Sequence, residues 1–411
     1  MPRPPGPAAA RQSGLREANL GLVVRTVCAA PEPLSRAGVA AATSMTRSTV
    51  SRLVDELVAA GVLDELDQPA TAGPGRPATP LAAGRRLAGL GLQVDVGRLA
   101  VRVLDLRGGV LAEEVEEVAL AGSDPAPTLG RLAASSRRVL RALPDGTTVV
   151  GAGLALPGIV DAGRGRLLRA PNLGWSDVDV LPLLPVDARA GLPLRVDNEA
   201  TLGARAVAEP APGRVGPVAD FLYLSGEVGI GGAVVVDGRV VGGRHGWAGE
   251  VGHVCVDPEG PPCRCGSTGC LELYAGRVAL LSAAGLDAGA TTRDLLSRSR
   301  SGDATALAAL ARAARALGVA LAGVVNVLDV PAIVLGGHLG QVAELLRADL
   351  EAALRRRVLS ARWVVPEVLT APDDSAPGAT GAALAALAPL LDDPLRALAR
   401  RADGTPSAPT P

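Results

Sequence analysis

Residues 249–272 read GEVGHVCVDPEGPPCRCGSTGCLE, and the spacing of His253, Cys263, Cys265 and Cys270 within them governs the reading of the whole chain. Three thiols and one imidazole supply the four donors of a closed tetrahedral Cys3His centre, of the kind that holds a structural zinc ion. Gly266 and Gly269 let the loop fold tightly around an ion, and Pro258, Pro261 and Pro262 stiffen its approach. With four protein donors no position is left for a reactive water, so the expected Zn2+ is structural rather than catalytic. Cys255, two residues beyond His253 and on the same face of an extended chain, is a rival ligand. The plain alternative is a loop of reduced thiols. Cys28 lies in an apolar helical pattern and is assigned to a core.

The clustering also speaks to compartment. A disulfide framework spreads its cysteines along the chain, whereas three of the five here are crowded between 263 and 270, which points to metal binding in a reducing cytoplasm. The N-terminal MPRPPGP lacks the apolar stretch of a secretory leader, and no run of about 20 apolar residues free of charge is evident, so no membrane span is expected. At 411 residues the chain can hold two or three domains. Apolar residues make up 48% and aromatics only 1%, so the cores must be built from Ala, Val and Leu. The net charge of −1 advertises no general affinity for nucleic acid, and the basic residues are all arginine, a bias that GC-rich coding explains as well as any need for guanidinium groups.

On either side of the cysteine stretch, apolar runs at 99–104, 149–155, 221–224 and 332–335 alternate with turns and helical segments, the pattern of an α/β architecture. Residues 303–327 read as a long Ala-rich helix feeding the run at 332–335, and 377–391 as another helix. The Pro/Ala-rich residues 1–13 are expected to be disordered, and the tail at 396–411 flexible.

The N-terminal part has a different character. In TRSTVSRLVDELVAA (residues 46–60), Val50, Leu53, Val54 and Leu57 recur at i, i+3, i+4, i+7 and form one apolar stripe of a helix. Thr46 is a suitable N-cap and Gly61 a suitable terminator. Arg47, Ser48, Ser51 and Arg52 occupy the opposite face near its start. A shorter helix over 33–42 and a turn over 43–45 complete a helix-turn-helix, whose second helix reads the major groove. A strand at 62–66 and the Gly/Pro-tipped loop GPGRP (73–77) resemble the wing of a winged helix, with Arg76 placed to reach a minor groove or a phosphate. Residues 14–80 are thus read as a DNA-binding domain; a small helical bundle for protein contacts is the alternative.

Taken together, SGEVGIGGAVVVDGRVVGGRHGWAGEVGHVCVDPEGPPCRCGSTGCLELYAG (225–276) resembles the signature region of the ROK family of repressors and sugar kinases. The resemblance covers roughly residues 15–395 and includes the leading winged helix that the family's regulators possess and its kinases lack. It implies a two-lobed, actin/hexokinase-like sensor domain with lobes at 88–210 and 211–376 and a C-terminal helix at 377–395 packing back on it. It also implies zinc ligands His253, Cys263, Cys265 and Cys270, and sugar contacts from Asn172, Asn198, Glu199, Glu250, His253 and Glu272. Convergent carboxylates, amides and imidazole suit hydroxyls that both donate and accept.

The kinase half of the resemblance is broken at three places. The family's Asp-x-Gly-Gly-Thr turn is here Asp95-Val-Gly97-Arg98-Leu99, where a side chain replaces the second glycine that lets backbone approach phosphate. The second phosphate loop reads Glu227-Val228-Gly229-Ile230-Gly231-Gly232, with a carboxylate that repels a triphosphate. The catalytic Asp is Glu199, whose extra methylene displaces the base by about 1 Å. The expectation is a repressor that binds a sugar or sugar phosphate without phosphorylating it and meets its operator DNA as a homodimer or a dimer of dimers. The alternatives are an active glucokinase-like enzyme with an appended DNA-binding domain, and a scaffold without a small ligand.

Overall fold

The computed structural model describes residues 7–67, 79–226, 228–287 and 289–403. Arg76 and Glu227, together with both chain ends, lie outside the described residues.

The N-terminal unit comprises α1 (Pro7–Ala29), β1 (Leu34–Ser35), α2 (Arg36–Thr43), α3 (Arg47–Ala59), β2 (Leu63–Glu65) and β3 (Pro80–Ala83). Helix α1 begins inside the stretch expected to be disordered. Ser35 caps α2 through Gly38 N at 3.1 Å, and Thr46 caps α3 through Thr49 N at 3.2 Å. Helix α3 buries Val50, Leu53, Val54 and Leu57, the stripe read from the sequence. β3 pairs antiparallel with β2 and with β1, closing a three-stranded wing sheet. That strand runs to Ala83, so the winged unit outlasts the boundary expected at residue 80. Arg36 fastens α2 to α3 and to the wing by ion pairs to Asp55 at 2.6 Å and Glu65 at 2.8 Å.

The first lobe contains β4 (Leu87–Asp95), β5 (Arg98–Asp105), β6 (Val110–Glu117), α4 (Pro125–Arg141), β7 (Thr148–Leu156), β8 (Ile159–Asp161), β9 (Arg166–Ala170), β10 (Trp175–Asp179), β11 (Leu194–Asn198) and α5 (Glu199–Ala208). The second contains β12 (Phe221–Gly226), β13 (Ile230–Val236), β14 (Arg239–Val241), α6 (Glu272–Ala275), α7 (Arg277–Ala283), α8 (Thr292–Arg300), α9 (Ala304–Leu328), β15 (Ala332–Gly336), α10 (Gly337–Gln341), α11 (Ala343–Arg357) and β16 (Glu367–Thr370). The sheets run β6-β5-β4-β7-β11 and β14-β13-β12-β15-β16. In each, three antiparallel strands are extended by two parallel ones, so the two lobes repeat one topology. Strands β8, β9 and β10 form a small separate sheet in the first lobe.

The chain ends in α12 (Pro377–Asp392) and α13 (Pro394–Asp403). Helix α12 lies against β4 and β7 at a distance only small residues allow. A Cβ on Gly91 would overlap the carbonyl oxygen of Ala379, and one on Gly153 would stand 2.6 Å from that of Ala382. Its far end enters the N-terminal unit, where Leu387, Leu390 and Leu391 share a core with Leu20, Val23, Val24 and Leu57. The C-terminal helix therefore joins the two lobes to the N-terminal unit rather than packing on the lobes alone. Residues 396–403, expected to be part of a flexible tail, are helical, with Leu395 and Leu398 against that same core.

Helix α9 is long and apolar enough to cross a membrane by length and composition, despite two internal arginines. Yet 61% of its apolar window is buried inside the protein. Ala306, Leu310, Leu317 and Leu321 fill the core of the second lobe against Leu346, Leu350 and Leu354 of α11.

Candidate functional site: an interlobe cavity beside a Cys3His knuckle

Strands β4, β7, β11 and β12 end on the same side, and the crevice outside their carboxyl ends is where an open α/β sheet places a ligand. A cavity of about 80 Å³ lies there, lined by Asn172, Asn198, Glu199, Glu250, His253 and Glu272, all six of the residues that the resemblance implied. Asn198 is the last residue of β11 and the N-cap of α5. Its Oδ1 accepts from Ala200 N at 2.8 Å and Thr201 N at 3.1 Å, and its Nδ2 donates to Gly158 O at 2.8 Å. The side chain is thus largely spent on fixing the start of α5, which in turn aims Glu199 into the cavity. Glu199 is buried and accepts from Ser225 Oγ of β12 at 3.2 Å, a bond between the two lobes.

Glu272 reaches the cavity from the start of α6, and its Oε2 accepts from Ile230 N at 3.2 Å. Glu272 and Asn172 converge over Gly229, where a Cβ would overlap Glu272 Oε2 and stand 2.6 Å from Asn172 Nδ2. Glu250 lies 3.9 Å from His253 Nε2. Burial raises the Glu250 carboxyl above its ordinary range, His253 opposing that shift and Glu272 adding to it.

Two lining residues with polar side chains were not counted from the sequence as site residues. Asp95 closes β4 and is almost wholly buried; burial pushes its carboxyl up, against the pull of Arg98, whose Nε is 3.7 Å away. Ser225 is the other. Both stand at carboxyl ends of central strands, which is the signal that could have found them.

The Cys3His set forms one wall. His253, Cys263, Cys265 and Cys270 present ligand atoms all within 4.8 Å of one another. His253 Nδ1 faces Cys263 Sγ at 3.9 Å, leaving Nε2 toward Glu250. Cys265 and Cys270 sulfurs are 3.7 Å apart, close to the ~3.8 Å edge of a tetrahedron with ~2.3 Å metal–sulfur bonds. Burial and its two sulfur neighbours push the Cys270 thiol up to about 12, the cost of crowding thiols that a cation removes. The donors fit a metal ion. Cys255, the rival ligand, pairs with Cys270 through backbone only; its side chain is exposed and outside the cluster. The knuckle is held to the first lobe by Arg169, whose guanidinium donates to the carbonyls of Arg264 at 3.2 Å and Cys265 at 3.4 Å. A second strap is Trp247, whose Nε1 donates to Val160 O at 3.0 Å.

In the winged unit, Thr46, Arg47, Ser48 and Arg52 are exposed and Ser51 half-buried along one face of α3. Thr46 Oγ1 is engaged as the cap and with Ser48 Oγ at 3.0 Å, so the free face belongs chiefly to the two arginines.

Comparison with known proteins agrees with this geometry. The ROK family model matches residues 92–388. A xylose repressor of Caldicellulosiruptor bescii is 27% identical over 367 residues, spanning 85% of this chain and 90% of that protein. The crystal structure of a ROK family transcriptional regulator, a homologue of the E. coli MLC protein, superposes with a TM-score of 0.76 at 25% identity over 95% of this chain and 100% of that one. A ROK family glucokinase from Streptomyces griseus, solved with glucose and AMPPNP, superposes with a TM-score of 0.61 at 26% identity, covering 99% of the kinase but 73% of this chain. The matched span takes in both lobes and the helix that joins them to the winged unit: this chain belongs to the ROK family.

Proposed function

We propose that the chain is a sugar-responsive transcriptional repressor that binds a sugar in the interlobe cavity without phosphorylating it, and releases its operator when it does. The observation that carries this reading is the convergence of Asn172, Asn198, Glu199, Glu250, His253 and Glu272 on one cavity, in a chain that also carries a winged helix. Three carboxylates, two amides and an imidazole can meet the paired donor and acceptor character of sugar hydroxyls. The similarity to a xylose repressor supports an aldose as effector. The side chain of Arg98, at the turn where a kinase needs bare backbone beside phosphate, speaks against transfer.

The metal in this reading is zinc, held by His253, Cys263, Cys265 and Cys270, and its work is positional: it fixes the imidazole that faces the cavity. DNA is read by α3, with Arg47 and Arg52 on its exposed face; Arg76, in the sequence between β2 and β3, is a further contact on the strength of its sequence alone. Two copies of the chain supply the paired half-sites that one winged helix alone reads weakly. The setting is the reducing cytoplasm, where such thiols stay available to metal.

The test is operator binding by the metal-loaded protein, titrated against a panel of pentoses, hexoses and amino sugars, with thermal stability followed in parallel. One sugar class should raise the thermal midpoint and weaken operator binding at least ten-fold, a coupling of about 1.4 kcal/mol that must be reciprocal. If no sugar moves either quantity, the reading fails. Cys263→Ser should lower zinc content by elemental analysis and abolish the sugar response; unchanged zinc would remove Cys263 from the ligand set.

A further inference from the structure

Two aromatic rings meet in the open beside the interlobe crevice. His245 and Trp247 stack with their centroids 4.9 Å apart and their planes 29° from parallel. Both residues are exposed, and Trp247 keeps 41% of its surface in solvent.

The loop that carries them is built to present them. It leaves β14 at Val241 and is tied at its base by Ala248 N, which donates to Gly242 O at 3.1 Å. Gly243 and Gly246 turn the chain at φ +69° and +78°, a region that other side chains disfavour. The indole is then oriented across the lobe boundary, its Nε1 donating to Val160 O at 3.0 Å.

That anchor decides where the stack stands. Val160 is two residues beyond Gly158, and Trp247 is three residues before Glu250. Gly158 and Glu250 both line the sugar cavity, whereas neither His245 nor Trp247 does. The two rings therefore stand at the rim of the cavity and not in its wall. The wall supplies carboxylates, amides and an imidazole, which suit the hydroxyls around the edge of a sugar. The rim supplies a flat apolar surface, which suits the other part of a pyranose, its broad C–H face. Stacking occupies one face of each ring, and the electron-rich face of an aromatic ring attracts the positive edge of C–H bonds.

We propose that the effector extends out of the cavity, as a disaccharide or longer saccharide whose second pyranose ring packs on the Trp247–His245 stack. This rests on the sugar reading and adds to it the length of the ligand. The inner unit is held by the polar wall, and the outer unit lies across the boundary between the lobes, against a side chain that belongs to one and is bonded to the other.

The experiment is calorimetric titration of the full-length, metal-loaded protein with monomer and dimer pairs: xylose and xylobiose, glucose and cellobiose, glucose and maltose. At least one dimer is expected to bind about five-fold more tightly than its monomer, the scale on which ring stacking contributes. Trp247→Leu should bring that ratio close to one. Trp247→Phe keeps a flat ring but cannot donate to Val160, and should retain most of the ratio; His245→Ala should lose part of it. Metal content and thermal midpoint establish that each variant is folded. Monomers that bind as tightly as every dimer overturn the proposal and leave the sugar reading in place. A dimer preference that survives undiminished in Trp247→Leu also overturns it. Equal loss in the Leu and Phe variants makes Trp247 a strap between the lobes and nothing more, and sinks the stacking argument. If no saccharide of either length binds, the sugar reading fails and this inference fails with it.

Discussion

Gly229 shows how little a single position can spare. Its missing side chain is the space in which the Glu272 carboxylate and the Asn172 amide meet, so Gly229→Ala must drive them apart. Sugar binding should fall by at least ten-fold in titration calorimetry, while the thermal midpoint without sugar moves little. His338 makes a different argument. It is buried on α10, within reach of Ala275 O at 2.8 Å, and burial holds its imidazole below the ordinary range. A histidine depressed in the folded state binds fewer protons there than in the unfolded chain, so its stabilising share is full above pH ~6.5 and is lost as pH falls below it. Between pH 7.5 and 5.5 the wild type should lose more of its thermal midpoint than His338→Gln; parallel curves would remove His338 as the cause. Asn198 is a lesson in reading residues. The resemblance named it for the sugar, but geometry commits its carbonyl to the first turn of α5, leaving at most one amide hydrogen for a ligand.

Helices differ in how much of themselves they declare in sequence. Helix α3 was legible because stripe, cap and terminator all fall within sixteen residues, Thr46 to Gly61, and depend on nothing distant. The knuckle was legible for the same reason, its four donors lying within eighteen residues of sequence. Helix α13 could have been read from Asp393-Pro394, since Asp393 Oδ1 accepts from Arg396 N at 3.2 Å and Leu395 and Leu398 share a face. Its polar, Arg-rich composition and proximity to a Pro-rich end hid that. Helix α12 lies against β4 and β7, but its second partner was not legible, because the leucines that enter the N-terminal unit look like any others in an apolar helix. Leu390 is 1% exposed in that shared core. Leu390→Ala should therefore cost about 2–5 kcal/mol in denaturant unfolding. A loss below about 0.5 kcal/mol would mean that the seam between α12 and α1 contributes nothing to stability.

At the scale of the molecule, the repeated five-stranded topology was not visible in the chain, because it rests on parallel pairings between distant strands such as Val196 with Leu154 and Val334 with Tyr223. No sequence period accompanies them. What the repeated topology produces is a crevice with one lobe on each side, bridged by Trp247, Arg169 and the Glu199–Ser225 bond, and a helix that runs from β4 and β7 of the first lobe to the core of the N-terminal unit. Whether the other end reads DNA is a question for Arg47 and Arg52 together. Replacing both by Ala should weaken operator binding and flatten its salt dependence by about two units of log–log slope, each arginine accounting for roughly one phosphate. Unchanged affinity at fixed salt would dismiss α3 as the recognition helix.

The scarcity of aromatic residues has an optical consequence. The three tryptophans occupy three different situations: Trp175 buried in the first lobe, Trp363 exposed beneath the Arg362 guanidinium at 4.5 Å, and Trp247 at the strap between the lobes. With Trp175 and Trp363 changed to Phe, emission on excitation at the red edge of indole absorption would come from Trp247 alone. Its spectrum would shift if the indole lost the Val160 carbonyl, so the protein carries its own fluorophore at the place where one lobe meets the other.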